Sequence, residues 1–209
     1  MKYLGLFISL LLFSCQTNTA LSRQRQIDKS QNENYFLKVN DEFTLYLDNF
    51  KKLDLPLVIK GCYISLDGLK QFDGKQFAKY SDEFSFAFGQ IPSNGNYVAT
   101  ITLDPADCFL PVLTTYHRTG HKIDQKTIAI GGCGSDCGFS GEEFMTLRKD
   151  FSFYTSDTIS TYTCDSLGNE IPGTYEFYVI YQKGEILTDG KIIISKEIKK
   201  PLKGRINKP

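Results

Sequence analysis

From Tyr35 onward the apolar side chains come in short runs separated by Gly, Asn, Asp and Pro, the punctuation of many short strands. FTLYLDNF (43–50), LPLVIKGCYISL (55–66), FSFAFGQI (84–91), YVATITL (97–103), FLPVLTTYH (109–117) and KTIAIGG (126–132) each fit a strand. EFMTLRKD, FSFYTSDT and GKIIISKEI alternate apolar and polar positions, as strands do when one sheet face is buried. Asp67-Gly68, Asp73-Gly74 and Asp104-Pro105-Ala106-Asp107 supply turns, and Ser93-Asn94-Gly95-Asn96 between two strong strands predicts a hairpin. LKQFDGKQFAKY (69–80) is the one stretch that suits a helix, although Gly74 interrupts it.

A weak recurrence runs through the second half. YHRTGHKI (116–123), YTCDSLGNEI (162–171) and YQKGEI (181–186) each place a tyrosine, a polar turn with glycine, and then an isoleucine. A strand end, a residue able to take positive φ and a strand start describe a hairpin. Three in series give a β-meander. The fold expected is all-β: antiparallel strands forming a sandwich or open barrel, with residues 35–198 as a single domain. Phe84, Phe86 and Phe88 alternate along a strand and are expected in its core.

The first residues have a different pattern. MKYLGLFISLLLFSC opens with Lys2 and continues with an apolar stretch from Tyr3 to Phe13. That length is too short for a bilayer span, which takes about 20 residues, and has the size of a signal-peptide core. Leu12-Phe13-Ser14-Cys15 resembles the lipobox of bacterial lipoproteins, the site read by signal peptidase II. The resemblance implies that residues 1–14 are removed and that Cys15 becomes the lipidated N-terminus. Two or three acyl chains then anchor the protein, each buried methylene contributing about 0.8 kcal/mol. Gln16 stands where Asp would favour retention, which implies passage to the outer membrane. No acidic run follows Cys15, so the lipid-anchored protein is expected to face the periplasm.

Residues 16–34, QTNTALSRQRQIDKSQNEN, have no aromatic and few large apolar side chains. Such a segment buries too little surface to offset the entropy of ordering it, so 15–34 is expected to be the lipidated cysteine and a flexible linker. Within residues 1–14 the only charged side chain is Lys2, so cleavage there leaves 23 basic and 24 acidic residues. That balance excludes the strongly basic surface of a nucleic-acid binder. The last eleven residues, 199–209, form a basic tail with five basic groups and no acid. Expected partners are the membrane, through the N-terminal lipid, and a protein of the envelope; no nucleic acid is expected. Sixteen Phe and twelve Tyr come without any Trp, which disfavours a sugar platform built on indole rings.

Five cysteines remain after Cys15: Cys62, Cys108, Cys133, Cys137 and Cys164. In an exported protein disulfides are the default state. Two bridges among five cysteines allow fifteen arrangements, and sequence does not choose among them. Cys133 and Cys137 sit in GGCGSDCGFSG (131–141), where the glycines allow close turns around a staple. A direct Cys133–Cys137 bridge would contribute only about 2 kcal/mol, whereas bridges to Cys108 or Cys164 close longer loops.

The alternative is a metal site. His117 and His121 stand four apart, as do Cys133 and Cys137, and two imidazoles with two thiolates make a ligand set for zinc or copper. A thioredoxin-type role is disfavoured, because that chemistry uses C-x-x-C at a helix N-terminus. Asp165, Asn169 and Glu170 carry oxygen ligands suited to calcium and fit a hairpin turn equally well. Glu142 and Glu143 are consecutive, so on a strand they point to opposite faces. With no nucleophile elbow, phosphate loop or zinc-protease helix, no enzyme activity, catalytic residue or cofactor is expected. LFSC, GGCGSDCG and CDSLGNEI together resemble small uncharacterised lipoproteins of Bacteroidota, a resemblance that implies no activity. The function expected is that of a lipid-anchored β-domain of the cell envelope, acting by binding or as a structural component. One variety is an inhibitor of lysozyme-like enzymes.

Overall fold

The computed structural model describes residues 41–60, 65–73, 75–93, 96–106 and 108–203. The chain divides into two units, Met1–Phe43 and Thr44–Pro209, and both sheets belong to the second. The smaller sheet follows chain order: β2 (Lys70–Gln71), β3 (Phe86–Ile91), β4 (Val98–Pro105), β5 (Phe109–Tyr116) and β6 (Lys122–Thr127). The larger has β1 (Leu57–Lys60), β8 (Phe139–Leu147), β9 (Ser152–Thr161), β10 (Glu176–Ile186) and β11 (Ile192–Ile194) in that order. Two short strands complete its edges. β7 (Gly134–Asp136) shares one side of β8 with β1, and β12 (Ile198–Pro201) shares one side of β10 with β11. Every pairing between these strands is antiparallel, as the alternation predicts.

A shared core lies between the sheets. Ile91, Ala99, Ile101 and Leu113 come from the smaller sheet, and Ile59, Met145, Leu147, Phe153, Ile186 and Ile192 from the larger. Three polar side chains that point inward bond across the interface. Thr115 donates to the Gly190 carbonyl at 2.6 Å, Thr155 to the Ile128 carbonyl at 2.6 Å, and Asp124 accepts the Ile192 amide at 2.9 Å. Buried hydroxyls without such partners would each cost free energy, so these bonds also fix how the layers meet.

Four hairpins repeat one loop geometry: 117–121, 148–152, 165–169 and 187–191. In each the first amide bonds the fifth carbonyl, and the fourth amide bonds the first carbonyl. That pattern is a tight turn closed by a left-handed residue. Gly120, Gly168 and Gly190 fill the left-handed position at φ between 83° and 88°, but Phe151 fills it in the β8–β9 hairpin at φ 64°. A bulky residue is strained there, and Phe151 keeps the position because its ring packs against the core cluster.

Several sequence expectations need correction. Residues 43–50 are not a strand: 41–47 are helical, and the chain then turns, with Asn49 Nδ2 donating to the Leu45 and Tyr46 carbonyls. Residues 69–80 are not a helix; they hold the two-residue β2 and turns. The sixth strand ends at Thr127, so 128–132 leave the sheet. YQKGEI is not a third hairpin but the second half of β10, where a Cβ at Gly184 would lie 2.2 Å from the Phe153 ring. The turn that follows is 187–191. Phe84 lies ahead of β3 at φ 67° and is 52% exposed, while Phe86 and Phe88 are half-buried. A bulge between Ala87 and Gly89 shifts the alternation. Lys199, Lys200 and Pro201 of the expected tail are paired in β12.

The outer face of the smaller sheet is covered as well. Thr100, Thr102, Thr114 and Tyr116 alternate with the core-facing residues of β4 and β5 and are all buried. Over them lie Tyr46, Phe50, Phe72, Phe77 and Tyr80, whose rings meet at centroid distances of 5.0 to 5.8 Å. The Tyr116 hydroxyl donates to the Tyr80 carbonyl at 2.6 Å and stands 3.2 Å from the Tyr46 hydroxyl. Burial pushes the Tyr116 phenol up to about 12 and raises Tyr46 well above the usual range.

Candidate functional site

GGCGSDCGFSG links the layers. After β6 the chain passes through Ile128, buried in the core, and crosses the inner face of the larger sheet before entering it as β7. Glu143 of β8 and Asp157 of β9 are directly opposite each other in the register and lie on that inner face. The Gly131 amide donates to Glu143 Oε2 at 3.0 Å and the Gly132 amide to Asp157 Oδ2 at 2.5 Å. Two consecutive backbone amides thus hold two neighbouring carboxylates.

Glycine is required by close approach. A Cβ at Gly132 would stand 2.8 Å from Asp157 Oδ2, and one at Gly141 would stand 2.0 Å from the Gly132 carbonyl oxygen. Gly131, at φ 87°, takes the left-handed turn that brings its amide round to Glu143.

The carboxylates differ from ordinary surface acids. Burial lifts the Asp157 carboxyl to about 7, the facing Glu143 charge adds to the rise, and the Gly132 amide opposes it. Burial also raises Glu143, against the Gly131 amide. Like charges this close favour one retained proton. Asp157 Oδ1 is buried without a hydrogen-bond partner. With exposures of 6% and 0%, Glu143 and Asp157 present nothing to a dissolved substrate. They hold the loop by its Gly131 and Gly132 amides.

The second lock is covalent. Cys137 is bonded to Cys164, joining the end of β7 to the loop between β9 and β10. This is one of the longer closures the sequence allowed, in place of the short Cys133–Cys137 ring. Cys133 is also disulfide-bonded, and its Sγ lies 3.0 Å from that of Cys108. Cys15 and Cys62 fall outside the described residues. Replacing Cys137 and Cys164 together by serine is expected to cost about 3.5 kcal/mol, the entropy of a closed loop of this length. Urea denaturation checks this, and a loss under about 1 kcal/mol would contradict it.

The proposed metal ligands are not assembled. Both thiols of the C-x3-C pair are in disulfides, and His117 and His121 are exposed at the ends of the β5–β6 hairpin, joined by their own backbone bond. Among the described residues no three His, Cys, Asp or Glu side chains are grouped to hold a metal ion. The Asp165 carboxylate is turned onto its own hairpin, accepting the amides of Leu167 and Asn169 at 2.8 Å each. Those bonds hold its pKa below the usual range. A wide depression beside Tyr97, Phe151, Glu185 and Asp189 shares no residue with the glycine loop.

Sequence reasoning separated Glu142 from Glu143 correctly, the first exposed and the second buried. It passed over Asp157, although the alternation of Phe153, Thr155 and Asp157 puts that carboxylate on a core-facing row. No protein-family model, no curated protein and no solved structure matches the chain.

Proposed function

We propose that the protein is a lipoprotein of the cell envelope, anchored at Cys15 and acting through binding or structural contacts of its β-domain. The observation that carries this reading is LFSC at the end of a short apolar run behind Lys2. A disulfide between Cys137 and Cys164 accords with an oxidising compartment. Glu143 and Asp157, the acids with raised pKa nearest to a catalytic pair, are buried under the glycine loop and serve its closure instead.

The reading places the domain in the periplasm, held to the outer membrane by a linker over 15–34. Membrane fractionation tests it. The wild-type chain should partition with outer membranes, and inhibition of signal peptidase II should leave residues 1–14 attached. Cys15→Ala should release the domain from the anchor or leave it unprocessed; a variant processed and membrane-bound like wild type would overturn the reading.

A further inference from the structure

The outer face of the larger sheet carries what a docking surface needs. The cross-strand registers align Lys60, Phe144, Ser156, Tyr181 and Ile198 in one row across β1, β8, β9, β10 and β12. The next row holds Val58, Thr146, Tyr154 and Lys183. Beyond it, Ile193 of β11 stands opposite Glu185. Of the eight exposed large hydrophobic side chains among the described residues, Val58 (47%), Ile193 (50%) and Ile198 (48%) lie on this face, Val58 at its β1 edge and the two isoleucines at its β11–β12 edge. The half-buried rings of Phe144, Tyr154 and Tyr181 lie between those edges and join them into one apolar patch, as a docking surface requires.

Its chemistry is graded. Ile198 stands beside Tyr181, whose ring is 5.9 Å from that of Tyr154, and Lys60 lies over the Phe144 ring at 5.9 Å. Lys60 and Lys183 occupy the two central rows, and Lys200 stands opposite Val179 on β12. The acids of the face, Glu142 and Glu185, lie in the rows to either side. Tyrosine and lysine combine an apolar body with a polar tip, the combination that settles at a bilayer headgroup layer. Protein interfaces are depleted in lysine, which here holds the two central rows. This face is a sheet surface with short aliphatic tips and a cationic middle.

We infer that this face docks on an anionic lipid surface, with Val58, Ile193 and Ile198 entering the headgroup layer and Lys60 and Lys183 pairing with lipid phosphates. The inference rests on the anchored reading above for its biological setting. On that reading residues 16–34 tether the domain to the bilayer over roughly 24 Å. Tethering supplies a high effective concentration, so a weak docking face suffices.

Vesicle binding tests it without the anchor. The chain from Gln16 onward, which keeps every described residue, is sedimented with equimolar phosphatidylethanolamine–phosphatidylglycerol vesicles and with neutral phosphatidylcholine vesicles. Binding is expected to the anionic vesicles, weaker in high salt. Lys60→Glu with Lys183→Glu should lower it about tenfold or more. Ile193→Ser with Ile198→Ser should lower it several-fold, with unchanged thermal unfolding. Leu167→Ser, on the 165–169 hairpin, should leave it intact. Equal binding to both vesicle types, or binding indifferent to both double variants, overturns the inference. So does self-association that the same substitutions abolish, since the face would then belong to a second copy. Because the probe lacks Cys15, failure here leaves the lipidation reading standing, and failure of lipidation leaves this result standing.

Discussion

Replacing Tyr46 with alanine is expected to lower the stability of the domain by about 4 kcal/mol, the scale of a large buried aromatic removed with its cavity left behind. Tyr46 is fully buried, and its ring touches those of Phe50, Phe72, Phe77, Tyr80 and Tyr116. It is the centre of the layer that covers the threonine face of the smaller sheet. Its loss would open the cluster and weaken the packing around the Tyr116 hydroxyl, which bonds the Tyr80 carbonyl. Leu45 is the internal control. It is 57% exposed, so Leu45→Ala should change stability by less than about 0.5 kcal/mol. Urea midpoints of both variants decide the matter; a Tyr46→Ala cost near that of Leu45→Ala would contradict the aromatic layer.

The second large effect is on pH. Asp157 titrates near 7 when folded and at about 3.9 when unfolded. Between those values the folded chain holds a proton that the unfolded chain has lost, so stability falls as pH rises. The contribution is fully present below about pH 4 and is lost by the time the folded carboxyl has ionised above 7. Each pH unit inside the window is worth at most about 1.4 kcal/mol, giving a fall of at most about 4 kcal/mol across its roughly three units. Asp157→Asn removes the charge and keeps an oxygen for the Gly132 amide, so its stability should fall much less over the same range, with only the raised Glu143 carboxyl left, and exceed wild type at pH 8. Denaturation at a series of pH values measures both slopes. A wild-type profile that rises from pH 5 to 8, or one unchanged by Asp157→Asn, would contradict the buried pair.

Much of the fold was legible because period-two alternation survives wherever one sheet face is buried. β3 and β5 fall within their expected runs, while β4, β8 and β9 overlap theirs and run past them, β4 into the expected Asp104-Pro105 turn and β8 back to Phe139 in the expected glycine loop. The failures have particular causes. In 43–50 aromatic and β-branched content suggested a strand, yet Phe43, Tyr46, Leu47 and Phe50 follow the three-and-four spacing of a helix face. Gly184 suggested a turn, but there the missing side chain makes room for Phe153. Phe151 takes a left-handed position that only its packing explains, and no turn rule would assign it. At the glycine loop, composition announced close approach without naming the partner. Glu143 and Asp157 come from strands that meet only once β8 and β9 pair, and no local pattern connects them to Gly131 and Gly132. The cysteine pairing was likewise a question of which strand ends meet.

On the proposed function the domain is exported, anchored at Cys15 and stapled by Cys137–Cys164. Intact-mass analysis of the full chain purified from cell membranes, alkylated before and after reduction, tests that most directly. The expected species begins at Cys15, carries diacylglyceryl and acyl mass on that residue, and leaves Cys137 and Cys164 unalkylated until reduced. A chain that retains Met1–Ser14, or one with an unmodified Cys15 and alkylatable Cys137 and Cys164, would contradict it.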